Sequence, residues 1–76
     1  MEVRIKKIMA DVFDAEIEQI DDDASPDTIS NWDSLRHMNL VEALEEGFGV
    51  EFSEDQIVEM MNYKLVKQIV GEVSGG

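Results

Sequence analysis

Three separate stretches of this chain repeat apolar residues at the spacing of an α-helix, and no stretch alternates apolar and polar residues as a half-buried strand would. Val3, Ile5, Ile8, Met9, Val12 and Phe13 form the first set; His37, Leu40, Val41, Leu44 and Phe48 the second; Leu65, Val66, Ile69, Val70 and Val73 the third. Between the last two, Ser53-Glu54-Asp55-Gln56 has the serine and glutamine placement of a capping box, which opens a short helix from Glu54 to about Met61. The expected fold is all-α: a small four-helix bundle, three main helices and one short one, over residues 1–73, with 74–76 as a disordered tail.

The first and second helices are separated by a long segment, Asp14 to Asn31. Asp21-Asp22-Asp23, Ser25-Pro26-Asp27 and Ser30-Asn31 are turn formers, and Ile17, Ile20 and Ile29 are spaced too irregularly for a helix. The segment is expected to be a loop pinned to the core by its isoleucines. Loops of this length in compact domains are commonly functional, which directs attention to where this one ends.

It ends at Asn31-Trp32-Asp33-Ser34-Leu35-Arg36-His37-Met38. Asp33 or Ser34 can cap a helix running from Ser34 to about Gly47, where Gly47 and Gly49 stop it. At about 100° per residue, His37, Leu40, Val41, Leu44 and Phe48 face the core. Leu35 and Met38 fall on the opposite side with Glu42, Glu45 and Glu46, so two large apolar side chains stand among carboxylates. That composition suits docking.

Charge narrows the partners. The 76 residues carry a net charge of -12, and between Ile8 and Tyr63 the only lysine or arginine is Arg36. Such a surface repels nucleic-acid phosphates and anionic lipid, and attracts basic protein patches. A hydrophobic content of 43% supports a modest core without a deep enzyme cleft. With no cysteine there is no disulfide, thiolate metal site or thiol nucleophile, and a cytoplasmic monomer is expected. With charged residues among the first apolar ones no signal peptide is expected, and no apolar run is long enough to span a membrane.

Several motifs mislead. The terminal Gly75-Gly76 is shared with ubiquitin, but that fold needs strands this chain lacks. Asp21-Asp22-Asp23 has neither the alternation, the glycine nor the closing glutamate of a calcium loop, so no metal site is assigned. Asp33, Ser34 and His37 name a catalytic triad, yet neighbouring positions on one exposed helix supply neither an oxyanion hole nor a substrate pocket. His37 is expected at the edge of the core, hydrogen-bonded to the loop.

Asp33-Ser34-Leu35 at a helix start, continued by Leu40-Val41-Glu42-Ala43-Leu44-Glu45-Glu46-Gly47-Phe48-Gly49-Val50, resembles the acyl carrier proteins along essentially the whole chain. The resemblance implies that Ser34 receives a 4'-phosphopantetheine arm from coenzyme A, attached by a phosphopantetheinyl transferase that Asp33 helps to contact. The chain is then a carrier and no enzyme: serine is a poor nucleophile without a base, and none is in evidence beside Ser34. The arm holds acyl intermediates as thioesters for enzymes of fatty-acid, polyketide or related biosynthesis. Leu35, Arg36, Met38, Glu42, Glu45 and Glu46 match the partner-facing positions, which dock on basic patches, and Leu44, Phe48, Ile57 and Met60 are candidates to line a site for the acyl chain.

The match has departures. Arg36 stands where many fatty-acid carriers have an acidic residue, Asn39 occupies another position often acidic, and Trp32 precedes the motif. These point to a specialised, freestanding carrier. The alternatives are an aminoacyl carrier of the D-alanyl type, or a small acidic helical adaptor that binds its partner without the arm.

Overall fold

The computed structural model describes residues 2–75. Among them are four α-helices and no strand: α1 (Glu2–Phe13), α2 (Ser34–Phe48), α3 (Glu54–Glu59) and α4 (Tyr63–Val73), with one 3-10 turn at Ile17–Gln19. The all-helical bundle with one short helix is the expected architecture. No helix among the described residues is long and apolar enough to cross a membrane.

The three long helices each bury one stripe. Ile5, Met9, Ala10 and Phe13 of α1 meet Leu40, Val41 and Leu44 of α2 and Tyr63, Val66, Ile69 and Val70 of α4 in one core. Val3, although in register with the first apolar set, is 66% exposed because it lies in the first turn, beyond the core. α4 begins earlier than its apolar repeat: Asn62 caps it by accepting from Leu65 N–H at 2.8 Å, so Tyr63 is helical and buried. Ser74 and Gly75, assigned from sequence to a disordered tail, form the closing turn, with Ser74 N–H bonded to Val70 O at 2.9 Å. Gly76 lies outside the described residues.

The segment between α1 and α2 is folded onto the bundle. Ile20, Ala24, Ile29 and Trp32 are buried, but Ile17 is 41% exposed in the 3-10 turn and pins nothing. The turns are made locally, as with Asp21 Oδ1 accepting from Asp23 N–H, and the segment is tied to α4 by Tyr63 N–H donating to Ala24 O at 3.0 Å. The radius of gyration is 11.0 Å, against roughly 11 Å for a compact chain of this length, so the segment adds no excursion.

The end of α1 fixes the start of α2. Asp14 adopts φ 51°, and Ala15 N–H reaches back to Ala10 O at 2.9 Å, a Schellman-type closure. The two carbonyls this leaves are taken from across the chain: Phe13 O accepts from Asn31 Nδ2 at 2.7 Å, and Val12 O accepts from Arg36 Nη1 at 2.8 Å. Both sides of Ser34 are therefore moored to α1.

Candidate functional site

Ser34 is the first residue of α2 and is exposed. Asp33, extended at φ -110°, caps the helix by accepting from Arg36 N–H at 2.8 Å. That bond and the fixed first turn leave the amides of Ser34 and Leu35 without intrahelical partners, at the positive end of a 15-residue helix. Among the described residues nothing hydrogen-bonds Ser34 Oγ.

An open groove of about 580 Å³ has this serine in its lining. It runs between α2, α3 and the preceding segment, lined by Pro26, Trp32, Asp33, Ser34, His37, Met38, Ile57, Val58 and Met61. The lining beyond Asp33 and Ser34 is almost wholly apolar. Behind it, Trp32 stacks on Phe13, with ring centroids 4.8 Å apart and planes at 25°.

The residues that named a triad are placed for another task. His37 Nδ1 accepts from Trp32 Nε1–H at 3.0 Å, and the other ring nitrogen lies 2.8 Å from Ile57 O. A nitrogen that accepts from an indole carries no proton, so Nε2 bears it and donates to Ile57 O. With both nitrogens occupied, His37 offers Ser34 no base, and the carboxylate of Asp33 is committed to capping.

The expected partner face divides. Leu35 is 73% exposed and Met38 48% exposed, with Glu42 and Glu46 exposed beside them. Arg36 is turned away, its guanidinium on Val12 O. Glu45 is partly buried, and its Oε2 accepts from Phe52 N–H at 3.0 Å, holding the chain that leads into α3. Of the candidate acyl-lining residues, only Ile57 borders the groove. Leu44 and Met60 are fully buried in the core, and Phe48 packs at its edge beneath the Arg4 guanidinium, 5.0 Å from the ring centre.

Two residues given no part in the site by the sequence extend the apolar face: Val58 at 69% and Met61 at 54% exposure. Ile57 and Met60 turn inward while Val58 and Met61 turn out. Resolving the short helix into faces, as was done for α2, would have separated these pairs.

The described residues thus form a small four-helix bundle with an exposed, capped serine at the start of α2. The family model described as "Phosphopantetheine attachment site" matches residues 3–73, and the chain belongs to that family. Among solved structures it is similar to the holo acyl carrier protein from Geobacter metallireducens, determined in solution by NMR. The two share 26% sequence identity over 97% of this chain and 85% of that one, with a TM-score of 0.86. The chain is accordingly a non-catalytic carrier whose cofactor is a covalently attached phosphopantetheine. The site fits such a group: a free hydroxyl on an exposed helix start, two unpaired amides for a phosphate, and an apolar groove adjoining.

Proposed function

We propose that Ser34 is the attachment point, and that the chain carries acyl groups to the enzymes of a biosynthetic pathway. The observation that carries this reading is the placement of Ser34 in the lining of an apolar groove, on the amide-bearing terminus of α2. When bound, the arm supplies a terminal thiol that holds an acyl group as a thioester. This chain's own residues do the rest. Asp33 fixes the helix start so that the hydroxyl projects, and the amides of Ser34 and Leu35 favour a phosphodiester's charge there. Asn31 and Arg36 hold that start against α1.

Leu35, Met38, Val58 and Met61 form the apolar part of the partner face, with Glu42 and Glu46 as its charges. Exposed ion pairs contribute only about 0–1 kcal/mol each, so docking on basic patches is fast and reversible, which suits a shuttle. Incubation with coenzyme A and a promiscuous phosphopantetheinyl transferase should add the mass of one phosphopantetheinyl group. Ser34→Ala should add none. An unchanged mass for the natural chain, or an equal gain in the alanine variant, excludes the assignment.

A further inference from the structure

α3 is the least anchored helix of the bundle. None of its six residues is buried. It is held at its N-terminal end by buried Phe52, whose N–H donates to Glu45 Oε2, and at its C-terminal end by Met60 in the core; along its length Ile57 packs against the core edge and accepts one side-chain bond from α2, His37 Nε2–H to Ile57 O at 2.8 Å. The same carbonyl otherwise receives only a long bond, 3.4 Å, from Met60 N–H. α3 also supplies one wall of the groove at Ser34 through Ile57 and Val58, with Met61 just beyond its end.

The imidazole can make this bond only in one tautomer, and Trp32 selects it. Donation from Trp32 Nε1–H keeps Nδ1 an acceptor and leaves the proton on Nε2, facing Ile57 O. Trp32 is itself fixed, 5% exposed and stacked on Phe13. A chain of contacts thus runs from the core through the indole and imidazole to the α3 wall of the groove.

We propose that His37, oriented by Trp32, is the positioning residue that latches α3 across the groove and so sets how readily an apolar group tethered at Ser34 enters it. That functional meaning rests on Ser34 being the attachment point, but the latch is a property of the unmodified chain. Measuring it there separates its failure from failure of the attachment reading.

The test is amide hydrogen exchange on the unmodified chain, with N-phenyl-1-naphthylamine fluorescence reporting access to the groove. Loss of one hydrogen bond in His37→Ala should speed exchange of the α3 amides about tenfold while those of Val66 to Val70 change less than about threefold, with stronger dye binding. His37→Gln should restore most of the protection, because Oε1 and Nε2 of glutamine sit on one carbon as Nδ1 and Nε2 of histidine do. Trp32→Phe keeps a ring on Phe13 but removes the orienting donor, and should also speed α3 selectively.

Unchanged α3 exchange in His37→Ala, equal acceleration of α3 and α4, a glutamine variant no better than alanine, or unaltered dye binding would each overturn the latch. Should His37→Ala fail to fold, Trp32→Phe decides by the same comparison of α3 with α4.

Discussion

Arg36 illustrates how a single side chain can belong to a different part of the molecule from its neighbours. By position in sequence it belongs to the expected docking face, as a positive charge two residues after Ser34. Its guanidinium instead donates to Val12 O at the end of α1, where no basic residue of α1 itself occupies the last turn. A cation there also opposes the negative end of the helix dipole. Arg36→Ala should therefore lower stability in urea by about 1–2 kcal/mol, the worth of a hydrogen bond from a charged donor, and do so in the absence of any partner. Glu45 and Glu46 make the complementary test. Glu46→Lys should weaken turnover by a partner enzyme through binding alone, with unchanged unfolding, whereas Glu45→Lys should also destabilise the chain by about 1–3 kcal/mol by freeing Phe52 N–H. Equal unfolding midpoints for the two variants would contradict this division.

Among the elements, the segment between α1 and α2 departs most from a simple loop. Ile20 is fully buried and Ile17 is 41% exposed, although they are three residues apart and of one type. Ile20→Ala should cost about 2–5 kcal/mol, a core-sized loss, while Ile17→Ala should stay within about 0.5 kcal/mol. Urea denaturation of the two variants measures both. The three long helices and the capping box of α3 were legible because their signals are local: apolar spacing and a serine three residues before a glutamine. The capped start of α2 at Ser34 was legible for the same reason, because the capping residues lie beside it in sequence. The bonds from Asn31 to Phe13, Arg36 to Val12 and His37 to Ile57 were not, since each joins residues brought together only by packing. The groove was missed because its walls come from three segments.

At the scale of the whole molecule, the surplus of acid is countered at one tight node. Lys67 of α4 lies 2.9 Å from Glu2 of α1 and 3.1 Å from Asp22 of the connecting segment, and 4.9 Å from the centre of the Tyr63 ring. Hydrogen bonds from the ammonium hold both carboxyls below the usual carboxylate range, and the same bonds raise the lysine. Burial pushes the Tyr63 hydroxyl up. The depressed carboxyls contribute stability that is present above their unfolded values, about 4, and lost as pH falls through the lower folded values. The raised lysine contributes below its unfolded value of about 10.4, and that part is lost as pH rises through the folded one. Lys67→Met removes both. Its deficit in melting temperature relative to the natural chain should be constant at neutral pH and shrink at either extreme; a deficit independent of pH would exclude the linkage.

The stack of Trp32 on Phe13 has a practical side. It is the chain's single tryptophan, nearly sealed from solvent, and it lines the same groove as Ser34. Emission excited at wavelengths that Tyr63 does not absorb therefore comes from one indole, without averaging over others. Loading of the serine, entry of a tethered group and departure of a partner should each shift its wavelength or lifetime, so the carrier's cycle can be followed in real time with no label attached.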